Sequence, residues 1–404
     1  MNDLKKSVTT NVHIFALASH GVGLSGGDRI AIEFARRWSK NASIIIYCWD
    51  EGQAMWQGQG LKGENIHYRL VSLDSWKRFG FFINYLARIV AGIKIALSII
   101  IENPSTTILY SASEFWMDSL PAFIIKERFP KINWTATWFQ TAPNPFKGFA
   151  EGKRHGKRYR LNAFFYWFSQ FPIKPLISHC ANFVLVNNET EKKQFPKLTD
   201  REKVIVVIGA VDVKKIEAFQ NKYKGFKKIY DAVYQGRFHP QKGVVELIDI
   251  WKQVVEKNPD AKLVMIGDGP LMKDVRLKIK KERLQNNIKL VGYIFDGEEK
   301  YKIFAQTKIV VHPAFYDSGG MAAAEAMAFG LPCVGFDLKS YQSYYPHGMV
   351  KVEIGDSKQF AKTIISLLQD EGLRKKIGSQ AEEMIKKNWS WDKRAHETFL
   401  MLTS

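Results

Sequence analysis

Cysteine is scarce: Cys48, Cys180 and Cys333 are the only three in 404 residues, far apart and without a C-x-x-C pair. That excludes a disulfide framework and a structural zinc site, and fits a reducing cytosol. Acids are also short, 40 Asp and Glu against 59 Lys and Arg, for a formal net charge of +19. An excess of that size implies an anionic partner, whether nucleic acid, acidic membrane surface or phosphorylated ligand, without choosing among them. Low-complexity tracts and internal repeats are absent, and a chain with 46% hydrophobic and 25% charged residues is globular rather than disordered. A long unbroken apolar run is missing too. Residues 79–101 come closest, but Arg88 and Lys94 interrupt them and Pro104 follows. Charges near the middle of a span are costly, so a buried helix of an α/β domain is expected there, with a membrane span or an interfacial helix as the alternative. The start, MNDLKKSVTTNVHIFALASHG, has lysines ahead of an apolar stretch that is short and runs into glycines. It reads as a first strand, not a signal peptide.

What is present is alternation. Strand-like runs at 12–18, 43–48, 108–111, 134–138, 183–186 and 203–208 alternate with helical patterns. A second set follows at 231–234, 262–266, 288–291, 309–312 and 333–336. Such a pattern predicts an α/β chain with parallel sheets covered on both faces. The length favours two domains, 1–210 and 211–388, with the lysine-rich stretch 212–228 having the composition of a linker. Two similar domains facing each other across a cleft are expected, with ligand outside the carboxyl ends of the strands.

The stretch 19–38, SHGVGLSGGDRIAIEFARRW, follows the first run. Gly21, Gly23 and Gly26 spell G-x-G-x-x-G, and Asp28 is placed to cap a helix with Ile30, Ile32, Phe34 and Ala35 on its core face. The next run leads to Asp50, about where a dinucleotide enzyme has its ribose ligand. A dinucleotide-dependent oxidoreductase is therefore one reading. Against it, Ser19 and His20 loosen the turn, and Gly26-Gly27 serve equally well simply to turn strand into helix.

The second half carries more chemistry. After 231–234 comes QGRFHPQKG, which puts Arg237 and Lys242 at a strand's carboxyl end beside a helix start. A guanidinium fork plus an ammonium suit a diphosphate, and Gly236 and Gly243 allow the close backbone approach; the plain alternative is two surface cations. Next, PAFYDSGGMAAAEAMAFGLP spans 313–332. A helix is expected over 321–329, stopped by Gly330 and Pro332, with Glu325 its one charge. A buried unpaired carboxylate is expensive, so donors must meet it, either ribose hydroxyls or a structural cation. Gly319, Gly320 and Met321 would present free amides to phosphate or sugar oxygens, and Asp317 can reach sugar hydroxyls beside them.

These residues in this order resemble the retaining glycosyltransferases of the GT-B fold, family 4 (glycosyl transferases group 1), over nearly the whole length. The resemblance rests on Gly26-Gly27, IGAVD at 208–212, the G-R-x(n)-K-G loop, VMIGDGP at 264–270, LVGYI at 290–294, and the pair of acids separated by seven residues that ends in AEAMAFGLP. It implies two Rossmann-like domains facing a central cleft, with 389–404 crossing back to the first. It further implies that Arg237 and Lys242 neutralise a departing diphosphate, that Glu325 binds ribose and that Asp317 binds the transferred sugar. The backbone near Val291, Gly292 and Tyr293 would read the base, and the loop at Gly26 and Gly27 would lie near donor diphosphate and acceptor. No metal or cofactor is implied, and no D-x-D pattern occurs.

Two positions depart from the family. Asp317 stands where Glu is usual, and Gln140 falls where relatives often carry His. Gln can bond a sugar hydroxyl but is no general base. A front-face mechanism tolerates this, because a phosphate oxygen of the leaving group accepts the acceptor's proton and electrostatic stabilisation does most of the catalysis. His20 and Gln140 are the candidate acceptor contacts. A sugar-nucleotide epimerase of the same fold is the alternative reading; an oxidoreductase would leave Arg237, Lys242, Asp317 and Glu325 unused.

The expected partners are a nucleotide sugar and a glycan or lipid-linked acceptor. In the stretch 144–175, Lys147, Lys153, Arg154, Lys157, Arg158 and Arg160 precede Phe164, Phe165, Tyr166, Trp167 and Phe168. Cations before rings suit an anionic membrane surface, each cation adding about 1 kcal/mol there. A solvated loop before a core helix is the plain alternative, and single-stranded nucleic acid, which basic and aromatic residues also bind, is not expected. The reading places the protein in the cytoplasm, peripheral at the inner face of the cell membrane.

Overall fold

The computed structural model describes residues 10–19, 24–71, 79–146 and 160–404, excepting the side chains of 160–163. The chain divides into two compact units, one of residues 1–142, 165–207 and 392–404, the other of 143–164 and 208–391.

The first unit is built on a seven-stranded parallel sheet in the order β3-β2-β1-β4-β5-β6-β7. Its strands are β1 (Thr10–Ala16), β2 (Ala42–Cys48), β3 (Ile66–Leu70), β4 (Thr107–Ser111), β5 (Asn133–Trp138), β6 (Phe183–Val186) and β7 (Val204–Val206). Central β1 pairs with β2 and β4, and its run from Val12 to Ala16 is buried, as a strand covered on both faces requires. Edge strand β3, IHYRL, alternates apolar and polar residues and so presents no apolar run in the sequence. The Trp391–Thr403 helix belongs here from Asp392 onward: Arg37 Nε donates to Asp392 (2.6 Å), Trp38 Nε1 to the Ala395 carbonyl (2.9 Å) and Asn133 to the Leu402 carbonyl (2.6 Å).

The segment expected as a buried helix is the Phe81–Ser98 helix, and only a third of it is buried. By length and composition it could cross a membrane. Its small residues Ala87, Ala91, Gly92 and Ala96 face inward, whereas Phe82, Leu86, Val90 and Leu97 are exposed. The correction follows from the composition, since a helix apolar all round gives no sign of which face lacks a partner.

The second unit holds a six-stranded parallel sheet ordered β10-β9-β8-β11-β12-β13. The strands are β8 (Tyr230–Gln235), β9 (Leu263–Ile266), β10 (Ile288–Gly292), β11 (Thr307–His312), β12 (Cys333–Phe336) and β13 (Met349–Val352). Core residues cover both faces, with Trp251 and Phe360 in one cluster and Phe304 and Trp389 in the other. The stretch expected as a linker is instead the Val213–Lys222 helix, capped by Asp212 and burying Ile216 and Phe219 in this unit. Its lysines are surface decoration on an amphipathic helix. The helix expected over 321–329 runs Met321–Met327.

Candidate active site

Two loops at the carboxyl ends of adjacent strands form the site. After β8 the chain makes a short turn, Pro240–Lys242, and enters the Val244–Lys257 helix through Gly243. Gly243 has φ +65°, and a Cβ there would sit 2.0 Å from the Pro313 carbonyl oxygen, so only glycine lets the loops approach this closely. The Gln241 carbonyl accepts the amides of Phe315 (2.7 Å) and Tyr316 (3.2 Å), fastening the loop after β8 to the loop after β11.

That approach brings Lys242 to Asp317, Nζ to Oδ2 at 2.6 Å. His312, the last residue of β11, meets the same oxygen at 3.0 Å, and the amides of Gly319 and Gly320 donate to Oδ1 at 3.3 and 3.2 Å. Burial opposes ionisation of Asp317, but Lys242 and the bond with His312 outweigh it and hold the carboxyl well below the usual range. The Gly319 and Gly320 amides, expected to be free for a ligand, thus serve Asp317. Gly320 has φ +61°, and Tyr345 fixes the turn by donating to the carbonyls of Gly319 (2.9 Å) and Gly320 (2.7 Å).

Glu325 does meet donors inside the protein. Lys300 Nζ lies 2.7 Å and Gln235 Nε2 2.8 Å from its Oε2, and Lys300 also pairs with Asp296. The β8 end therefore serves both acids, Gln235 at Glu325 and Lys242 at Asp317. Gln235 Oε1 is buried without a protein partner among the described residues, an acceptor open to a ligand hydroxyl. Arg237 is exposed. Between the two cations lies His239, pulled down to about 4 by burial, with Arg237 and Lys242 adding to the effect. Gly292 ends β10, and Tyr293 after it packs edge-on against Phe295 (5.1 Å). Met321 opens the helix that carries Glu325. Sequence reasoning missed Lys300, Gln235 and His312. For the last two their places at strand ends were a usable signal; Lys300 had none in so lysine-rich a chain.

In the first unit, His20, Gly21, Gly23 and the cations from Lys147 to Arg158 lie outside the described residues. Gly26 and Gly27 open the Gly26–Trp38 helix, but its cap is Ser25, whose hydroxyl accepts the Asp28 amide. Asp28, expected as the cap, instead takes the Ser19 and Ser25 hydroxyls. Asp50 begins the helix after β2. The Gln140 carbonyl accepts bonds from Tyr166 (2.9 Å) and Gln170 (2.7 Å), both of which also reach buried Glu114. Arg88 turns inward and donates to the carbonyls of Leu17 (2.7 Å) and Ser19 (3.1 Å), while Asp118 accepts the amides of Leu17 (2.6 Å) and Ala18 (3.2 Å). The chain leading into the glycine loop is thus held on both its donors and its acceptors. Among the described residues no group of His, Cys, Asp and Glu is placed to hold a metal ion.

Residues 215–384, which carry Arg237, Lys242, Asp317 and Glu325, match the family described as glycosyl transferases group 1. That match covers the second unit's chain, and over it the protein is similar to this family. An uncharacterised glycosyltransferase of Methanocaldococcus jannaschii is 24% identical over 67% of this chain and 74% of its own length. The Escherichia coli UDP-Gal:alpha-D-GlcNAc-diphosphoundecaprenol alpha-1,3-galactosyltransferase is 24% identical over 54% of this chain and 58% of its own. Two further relatives are matched over only 24% and 40% of their lengths. Among solved structures, Anabaena HepE in complex with UDP and glucose superposes with a TM-score of 0.72 at 14% identity, covering 98% of this chain and 99% of that one. The fold is GT-B, with two Rossmann-like parallel-sheet units.

Proposed function

We propose that this glycosyltransferase moves a sugar from a nucleoside diphosphate sugar to a glycan or lipid-linked saccharide, with retention at the anomeric carbon and without a metal ion. The observation that carries the reading is the pairing of the β8 loop with two acids eight positions apart, Lys242 with Asp317 and Gln235 with Glu325. HepE, of the same fold, binds UDP and glucose, and the E. coli relative is named for a diphosphoundecaprenol-linked acceptor; both support the substrate classes.

In the reaction so read, Arg237 and Lys242 meet the diphosphate. Lys242 turns from Asp317 toward it, which frees Oδ2 for a hydroxyl of the transferred sugar. Glu325, held by Lys300, and the open Gln235 Oε1 take ribose hydroxyls, and the backbone at Gly292 and Tyr293 lies against the base. The bond from the anomeric carbon to the diphosphate oxygen breaks as the acceptor oxygen bonds on the same face, and the acceptor's proton passes to the leaving diphosphate. Cations at that oxygen supply the stabilisation. His20 and Gln140 are assigned to the acceptor, and Gly26 and Gly27 to the donor side of their loop. Three free cysteines support a cytoplasmic setting.

The test is thermal stabilisation by UDP, GDP, ADP and NAD in EDTA and then with magnesium, followed by transfer from the matching sugar nucleotide with the product anomer read by NMR. Stabilisation by one nucleoside diphosphate in EDTA, and a product anomer matching the donor's, is expected. Stabilisation by NAD alone, or transfer that collapses in EDTA, overturns the reading.

A further inference from the structure

We propose that the outer face of the Phe81–Ser98 and Arg160–Gln170 helices docks on an anionic lipid bilayer, with both helices lying in the plane of the interface. The first helix exposes Phe82, Leu86, Val90 and Leu97 in a stripe along its length. The second exposes Trp167 and Phe168, and Phe171 directly after it. The two stripes are joined, because Phe165 packs its ring against Phe81 (5.7 Å), Phe82 (5.5 Å) and Tyr85 (5.5 Å). Large rings exposed together in this way are uncommon on a monomer and mark an interaction surface.

Charge selects the occupant. Residues 79–101 and 160–180 contain no Asp or Glu but carry Lys94, Arg160 and Lys174 besides the inward-turned Arg88, and the sequence leading into the second helix, 147–158, holds five further Lys and Arg against one Glu. Lys94 lies exposed on the first helix itself. An apolar stripe whose helices carry cations and no acid, with an exposed Trp on it, fits the headgroup boundary of an anionic leaflet. Spanning is excluded for the first helix as folded. Its inner face is committed to the unit through Arg88, which bonds the Leu17 and Ser19 carbonyls and stacks on Trp49 (4.9 Å). The inference needs no sugar transfer, and so stands or falls apart from the reading above.

The experiment is flotation of the full chain, without nucleotide sugar, on vesicles of phosphatidylcholine alone or mixed with phosphatidylglycerol. Two double variants, Phe82→Ser with Leu86→Ser and Trp167→Ser with Phe171→Ser, are compared, with thermal melting to show that each is folded and light scattering to give its mass. Wild type should float with the phosphatidylglycerol vesicles, and each folded double variant should partition about tenfold less or weaker, since each loses two large apolar anchors. Flotation unchanged in both variants means that cations alone hold the protein and overturns the proposal. Failure of wild type to float overturns it as well. So does a wild-type dimer that the variants convert to monomer without any lipid binding, which would assign the face to a second copy of the chain.

Discussion

Glu325 shows how a carboxylate on an apolar helix depends on what reaches it. Lys300 is 2% exposed and has both Asp296 and Glu325 as partners, so removing either side strands charge in the interior. Lys300→Met should cost about 3 kcal/mol in urea unfolding, and Glu325→Gln less, because Asp296 still pairs with the lysine. The double variant should recover part of the lost stability. Transfer should nevertheless fall at least a hundredfold wherever Glu325 is replaced, since the ribose contact is gone. A stable double variant with near wild-type transfer would remove Glu325 from the site. The two acids themselves were legible in the sequence: their spacing and the charge-free helix around Glu325 picked them out. Their partners were not, because Lys300 comes from a separate helix and nothing local distinguishes it from the other lysines.

At the level of elements, every central strand was read from the sequence, and of the four edge strands β7 and β10 were read while β3 and β13 were not. The central strands are continuous apolar runs, so composition alone marks them. Edge strand β3 alternates apolar with polar residues and β13 is only four residues long with a lysine inside it, so neither forms an apolar run. The Val213–Lys222 helix was mistaken for a linker because lysines dominate its composition, although Ile216 and Phe219 share one face. Gly243 is the element-scale feature on which the site most depends. Gly243→Ala forces a methyl toward the Pro313 carbonyl at a left-handed φ, so the two loops must part. A loss of about 2 kcal/mol or more is expected in unfolding, within the range for strain at a special backbone conformation. Nucleoside diphosphate stabilisation should vanish with it, because the loop that carries Lys242 is displaced and the lysine no longer reaches the diphosphate. A Gly243→Ala protein that binds the nucleotide normally would show that the contact between the loops is not needed to place Lys242.

Over the whole molecule, each unit contains one histidine held neutral by burial, His13 in the first and His239 in the second, both lowered to about 4. The unfolded chain takes its proton near 6.5, so the stability each contributes is complete above that pH and is lost as pH falls from about 6.5 to about 4, by up to about 3 kcal/mol per histidine. Asp118, pushed up to about 8 by burial, works in the opposite direction within the first unit, so the effect of each histidine is read as a difference between variant and wild type. His13→Asn should gain on wild type by that amount across the acid window in the first unit's unfolding, and His239→Asn in the second's. A difference that does not change with pH would rule out the histidine concerned. His239 adds a link to the site, because Arg237 and Lys242 are the charges that face it. A bound nucleoside diphosphate offsets those cations, the lesser causes after burial, and so should make the second unit's acid loss slightly shallower. The first unit's slope should stay as it was. A second unit's slope left unchanged by saturating nucleotide would make burial alone the hold on His239 and would count against a diphosphate resting on Arg237 and Lys242.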